Sequence, residues 1–272
     1  MTEFDEYERR AWQGRAATYE RSFALMCAYP APALLDAAGV GAGDKVLDVG
    51  TGPGTVAALA CARGAAVTAV DPEESMLDAA RRNAPAADVR HGVLPRLDLE
   101  DGAFDAVTAN FVLNHVGDPV AALGELRRVT RVGGRIAFTV WPYPLPMLQR
   151  LWGDVTEALA LPTPQPPLPR VAAEVNFSRT PDGLRGLLER AGLVELSCQE
   201  VVWTHHADPE DWWAAPASGM GSLGKVLATL PPAGVAEARG HYERLTAGHR
   251  TADGRLALPT GCLIAVGVVP PR

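Results

Sequence analysis

The chain has 272 residues, 47% hydrophobic and 21% charged, which is enough apolar material for a sizeable core and too much for wholesale disorder. A net charge of -7 and a pI near 5.4 provide no basic field for a polyanion, so nucleic acid is not an expected partner. No apolar run approaches the roughly 18 residues of a membrane span, and the start MTEFDEYERRAWQGR lacks an apolar signal core, so a soluble, cytoplasmic protein without membrane attachment is expected.

Residues 3–38 are predicted as one or two helices. Tyr7, Ala11, Trp12, Tyr19, Phe23 and Met26 recur at roughly helical spacing, and Pro30 with Pro32 breaks the run. KVLDVG (45–50) is a short apolar strand entering a glycine-rich turn, followed by the helical TVAALACARG. A second strand (65–71), a helix in PEESMLDAARRNA, a third strand (88–92) and a fourth (104–110) follow. PVAALGELRRVT is helical, and 134–141 is a fifth strand. Strands alternating with helices of about a dozen residues imply βαβ units and a parallel sheet. The strands are unbroken Val, Ala and Leu runs, as expected when both sheet faces are covered.

After Trp141 the rhythm fails. A proline-rich stretch (142–169) surrounds a short helix (145–161), and TPDGLRGLLERAG is a capped helix. A sixth strand is expected at 193–204, a helical insertion at 209–248 and a seventh strand at 262–269. The expected fold is α/β: a doubly wound, Rossmann-like, seven-stranded, mostly parallel sheet with the last strand antiparallel. One domain (1–272) would comprise an N-terminal helical lid (1–40), a cofactor-binding core (41–141) and substrate-cap insertions (142–180 and 208–250). Cys27, Cys61, Cys198 and Cys262 form no CxxC pair and read as buried, reduced thiols; no metal is expected.

The strongest chemical signal is VLDVGTGPGT (46–55). Gly50, Gly52 and Gly54 turn a strand into a helix, where backbone can touch a ligand and unpaired N–H groups face an anion. Asp71 ends the next strand, where a carboxylate can take both hydroxyls of a ribose. The dinucleotide fingerprint would need glycine where Thr55 stands, and the acid Asp48 precedes the first glycine here.

At this point the sequence resembles the class I S-adenosylmethionine-dependent methyltransferases, in particular their small-molecule, type 11-like branch. The matching pieces are LDVGTGPGT, DPEESML, LEDGAFDAVTANFVLNHVGDP and LRRVTRVGGRIAFTVW, within about residues 35–141. The resemblance implies S-adenosylmethionine as cofactor. It implies that Gly50, Thr51 and Gly52 lie along the methionine moiety, with Asp48 near its amino group and the Asn110 backbone facing the same amine. Asp71, with Pro72 beside it, would bind the ribose, and Met76 would pack on one adenine face. Val93 and Leu94 would edge the adenine. The family usually has an Asp at the position of Val93, and this chain departs from it there.

Methyl transfer to a hydroxyl gains from a general base near neutrality, usually histidine. His115, just after the fourth strand, is the candidate; His205, His206 and His241 are weaker ones. Neighbours His205 and His206 face opposite ways in a strand, which argues against a metal pair. Tyr19, Trp141, Tyr143, Trp212 and Trp213 are expected to line an apolar acceptor pocket, with Trp12, Pro142 and Trp203 as further aromatic or proline candidates. Asn110 is not followed by the Pro-Pro-Tyr of enzymes acting on planar amino groups. The expected partner is therefore a small-molecule acceptor, a specialised metabolite methylated on oxygen rather than carbon or nitrogen, and the expected assembly is a homodimer. Two alternatives stay open: a non-methylating cofactor-binding relative, acting as rearrangement catalyst or regulator, and an NAD-dependent oxidoreductase.

Overall fold

The computed structural model describes residues 2–161 and 169–271. The N-terminal region forms four helices rather than one or two: α1 (Glu3–Trp12), α2 (Ala16–Arg21), α3 (Phe23–Cys27) and α4 (Ala31–Ala37). Thr2 and Asp5 close a capping box that starts α1. Gly14, at φ +70°, lets the chain turn before α2, and the non-helical backbone of Ser22 separates α2 from α3.

The alternating region runs as expected: β1 (Lys45–Val49), α5 (Thr55–Ala62), β2 (Ala66–Asp71), α6 (Glu74–Asn83), β3 (Asp88–His91), β4 (Phe104–Asn110), α7 (Pro119–Val129) and β5 (Thr130–Val140). A single 3₁₀ turn, Leu113–His115, follows β4. Then come α8 (Met147–Ala158), α9 (Pro181–Arg190), β6 (Val194–Ala207), α10 (Pro209–Ala217), α11 (Gly221–Leu227), α12 (Pro232–Thr246) and β7 (Leu256–Val268). Part of the first expected cap insertion, 162–168, lies outside the described residues. β6 and β7 are longer than their apolar runs suggest because they pair with each other from Val194↔Val268 to Ala207↔Leu256. Ladder hydrogen bonds hold the polar ends of both strands in the sheet.

The sheet order is β3-β2-β1-β4-β5-β7-β6, with β7 antiparallel to both neighbours. β6 therefore runs with the five other parallel strands. Adjacent residues Val46 and Leu47 are both fully buried, on opposite faces, so helices cover the sheet on both sides. One core layer continues from Leu34 and Val46 through Ile264 to Trp152, Trp212 and Tyr242 of the late helices. The late helices and the sheet thus share an apolar layer. The chain leaves β1 toward β2 on one side and reaches β4 on the other, so the crevice at their carboxyl ends is the switch point of the sheet.

Candidate active site

A cavity of about 430 Å³ opens at this crevice. Its floor is the carboxyl edge of β1, β2 and β4, its side wall α1 and α2, and its far wall α8 and α10.

Gly50 and Gly52 both border the cavity with left-handed backbone, but their needs differ. A Cβ on Gly50 would stand 2.5 Å from a Val112 methyl, so packing of the protein alone excludes a side chain there. A Cβ on Gly52 would meet only the Tyr19 ring edge, at 3.8 Å. The space above Gly52 is therefore left open by the protein, as a close-lying ligand requires.

Asp71 lies beside this opening. One carboxylate oxygen accepts from Gly52 N–H (2.9 Å) and the other from Glu73 N–H (3.0 Å), which fixes the group and leaves lone pairs on each oxygen. Asp48 sits beneath the turn, accepting from the Thr51 hydroxyl (2.7 Å) and the Thr108 hydroxyl (2.9 Å). Burial pushes both carboxyls up to about 6, against the pull of those hydrogen bonds. Neither is in an ion pair among the described residues. Two buried, uncompensated carboxylates at one end of a cavity suit a cationic ligand. Pro72, Met76, Val93, Leu94 and Asn110 join Gly50, Gly52 and Asp71 on the wall, while Asp48 and Thr51 face an adjoining void of about 30 Å³.

His115 also borders the cavity, with its Nδ1 2.7 Å from a Glu8 carboxylate oxygen. The other Glu8 oxygen accepts from Lys225 Nζ at 2.9 Å. Burial alone would raise the Glu8 carboxyl, but the hydrogen bond and charge of His115, with Lys225 behind them, hold it down at about 2. The Trp12 ring meets the imidazole edge-on, with centroids 5.3 Å apart. Glu8 escapes sequence reading because it lies 107 residues from His115 in an exposed-looking charged run.

Of the expected aromatic lining, Tyr19, Trp141 and Trp212 border the cavity, as does Trp12. Two expectations are corrected. Tyr143 is 70% exposed and lies off the cavity, because its N–H is pinned to the Arg179 carbonyl and its ring turns to solvent. Trp213 is buried against Tyr242 and Arg239 instead of lining the cavity; consecutive residues of a helix point about 100° apart, and Trp212 takes the inward direction. Trp203 likewise packs away from the cavity, stacked on Tyr29.

His205 and His206 lie within β6 and not after it. His205 is buried against Trp212, and burial, with the nearby charges of His206 and Arg255, lowers it to about 4. His241 pairs with Arg244 on α12 and is not on the cavity wall. Sequence reading also missed Phe111 and Arg179. Phe111 takes left-handed backbone (φ +59°), held by its N–H bond to the Thr139 hydroxyl, and stacks on Trp141 with centroids 3.8 Å apart. A bulky residue at positive φ at the end of a sheet strand is strain of the kind found at binding sites. Among the described residues, no group of three or more metal-ligating side chains occurs and no helix is long and apolar enough to cross a membrane.

Comparison with known proteins covers the cofactor end best. Residues 47–138 match the family model described as a methyltransferase domain. The demethylmenaquinone methyltransferase of Beutenbergia cavernae is 39% identical over 112 residues, 41% of this chain and 47% of that protein. The chain spans about half or less of the curated relatives it matches. Among solved structures, the YcgJ protein of Bacillus subtilis aligns over 90% of this chain and 99% of its own, with a TM-score of 0.57 and 17% identity. A phosphoethanolamine N-methyltransferase of Haemonchus contortus, solved with S-adenosylhomocysteine, aligns over 89% of this chain and 52% of its own, with a TM-score of 0.51 and 15% identity. These two likenesses establish the fold. The cap helices α8, α10 and α11 lie outside the family match.

Proposed function

We propose that this chain, whose residues 47–138 are a methyltransferase domain of the S-adenosylmethionine-dependent class, transfers a methyl group to a hydroxyl oxygen of a small-molecule acceptor, in our reading a specialised metabolite. One observation carries the reading: a single cavity has the glycine turn and Asp71 at one end and the aromatic cap at the other. When bound, S-adenosylmethionine supplies an electrophilic methyl on a sulfonium, open to in-line displacement.

The chain's own residues divide the work. Gly50 and Gly52 admit the cofactor against bare backbone. Asp71 takes the ribose hydroxyls with the lone pairs that the Gly52 and Glu73 N–H groups leave unused. Asp48 braces the turn through Thr51 and adds negative charge beneath the methionine end. Met76, Pro72, Val93 and Leu94 enclose the adenine, and Asn110, anchored through its side chain to the Cys27 carbonyl (2.9 Å), keeps the β4 edge in place.

His115 is the base. With its Nδ1 proton given to Glu8, the other ring nitrogen is free to accept the acceptor's hydroxyl proton. Oxygen is favoured in our reading because a hydroxyl gains nucleophilicity when a positioned base takes its proton. The acceptor lies between His115 and the cap wall of Trp141, Trp152 and Trp212, where inserted helices exclude water.

Thermal denaturation with S-adenosylhomocysteine and with NADH tests the cofactor class. The first should raise the melting temperature by mass action and the second should not; stabilisation by NADH alone would instead make the chain an oxidoreductase. Product mass separates methyl transfer, which adds one CH₂, from a rearrangement.

A further inference from the structure

Arg179 stands on the cap wall of the same cavity, at a fixed place. Its carbonyl holds the Tyr143 N–H at 2.8 Å, which ties the segment before α9 to the chain leaving β5 beside Trp141. The next residue, Thr180, caps α9 by accepting from Gly183 N–H, so the backbone is held on both sides.

The side chain is less settled. The guanidinium is half-buried and makes no hydrogen bond or ion pair with any described residue. Burial alone acts on it and pulls its pKa down. Several other arginines have acids, as Arg128 has Glu125 and Asp101, or Arg131 has Asp105, and others reach backbone carbonyls, as Arg15 reaches Ser218. Arg9, the other arginine on the cavity wall, is on α1 and already engaged. A guanidinium stays charged under ordinary conditions, and a half-buried charge without a partner is unfavourable. Neighbours on this wall are apolar: Trp141, Leu145, Leu148 and Phe111. The same cavity wall carries the acids Asp5, Glu8 and Asp71, of which Glu8 is already paired with Lys225 and His115. Among the described residues, Arg179 is thus a guanidinium on the cavity wall with no acid of its own, set beside aromatic and aliphatic side chains.

We infer that Arg179 is a specificity residue that takes the carboxylate of a planar aromatic acid, whose ring lies along the Phe111–Trp141 pair and whose methyl-accepting group points away toward His115. Guanidinium and carboxylate match as a two-toothed pair, and the acids elsewhere on the wall disfavour a carboxylate away from Arg179, so one orientation is favoured. A carboxylate fits better than a phosphate because a single guanidinium neutralises one charge, and a phosphate would leave a second uncompensated among aromatic rings. The identity of this ligand as methyl acceptor rests on the methyltransferase reading; its acidity rests on Arg179 alone.

Calorimetry on the full chain, with and without saturating S-adenosylhomocysteine, tests it with paired probes: benzoate against benzamide, 4-hydroxybenzoate against 4-hydroxybenzamide, and phenyl phosphate. Each acid should bind the wild type about 10- to 100-fold more tightly than its amide, as charge-assisted hydrogen bonds would give. Arg179→Gln should erase that preference while leaving S-adenosylhomocysteine affinity unchanged and the melting temperature no lower. Arg179→Lys should retain part of the preference, having the charge without the fork. Absence of an acid preference in every pair overturns the proposal, as does a preference that survives Arg179→Gln. Tighter binding of phenyl phosphate than of the benzoates would replace carboxylate by phosphate, and a fall in melting temperature in Arg179→Gln would make the residue structural. If S-adenosylhomocysteine fails to bind, the methyltransferase reading falls, while the acid preference measured without it still stands or falls by itself.

Discussion

The two ends of the cavity are built by opposite means. The cofactor end is made largely of backbone: a glycine turn, one carboxylate held by two N–H groups, and strand ends within some sixty residues of one another. The end proposed for the acceptor is made of side chains from distant segments, as in Glu8 of α1 touching Lys225 of α11, and Arg15 reaching the Ser218 carbonyl beyond α10. A backbone site is specified by local turn chemistry and resembles itself wherever it occurs. A side-chain site depends on which helices happen to pack over it, so it can change its ligand without disturbing the sheet.

The largest effect should come from the glycine turn, and it separates fold from ligand within three residues. Gly52→Val should abolish S-adenosylhomocysteine binding in calorimetry while the protein still folds, since only the Tyr19 edge lies near the new Cβ. Its left-handed backbone (φ +54°) will cost about 1–2 kcal/mol of stability. Gly50→Val should instead unfold or severely destabilise the chain, because Val112 already occupies the space. Normal cofactor binding by Gly52→Val would reduce the turn to a structural device and end the contrast.

His115 lies where the two ends meet. His115→Ala should lower turnover by roughly 10² to 10⁴, with the deficit shrinking at high pH, where the acceptor hydroxyl ionises unaided. Glu8→Gln should lower it less, since an amide can still accept from Nδ1 but no longer stabilises the imidazolium. A small, pH-independent loss in His115→Ala would make the imidazole a packing partner of Trp12.

This division explains what could be read in the sequence. The β1–β5 alternation, the two late strands and the glycine turn were legible, because apolar runs and glycine spacing act over a few residues, whereas the direction of the last strand is set by its pairing with β5 and β6. The wall of the acceptor end was legible only in part. Trp212 and Trp213 look equivalent as a dipeptide, and only the packing of α10 against α11 and α2 decides which faces inward. Glu8 and Arg179 look like ordinary surface charges until α1 is laid over His115 and the segment before α9 is pinned to Tyr143. Tyr143 carried the right chemistry beside Trp141 yet turns outward.

The tryptophan pair sharpens the point next. Both are buried, so replacing either by alanine should lower stability by about 3–5 kcal/mol in denaturant titration. Only Trp212→Ala should also raise the KM for the acceptor, because only that ring borders the cavity. Equal kinetic effects of the two variants would mean that the cap acts as one rigid lid rather than as a lined pocket.

The smallest effect is the dependence on pH, and the two buried aspartates and His205 should respond with opposite sign. Asp48 and Asp71 titrate at about 6 in the fold, against 3.8 for an ordinary aspartate, because burial opposes their charge. Their contribution to stability is therefore fully present below pH 3.8 and lost as pH rises through 6. His205, in β6 against the Trp212 ring, is lowered to about 4, from 6.5, by burial and by the charges of His206 and Arg255. Its contribution is present above pH 6.5 and lost as pH falls toward 4. Between pH 6.5 and 4.5 the terms run against each other, each changing stability by on the order of 1 kcal/mol per pH unit. Glu8, held at about 2, loses its contribution only below 4.5 and stays out of this window. With two carboxyls against one imidazole, the ligand-free wild type should gain stability modestly on acidification across the window, His205→Gln should gain more, and Asp71→Asn, left with one carboxyl against the imidazole, should stay nearly flat. Stabilisation by S-adenosylhomocysteine should decline below pH 6 in the wild type and in His205→Gln alike, because the ribose contact proposed for Asp71 calls on its ionised form. A His205→Gln profile that parallels the wild type would show that the imidazole behind Trp212 is not buried in its neutral form, and its electrostatic contrast with the two aspartates would be lost.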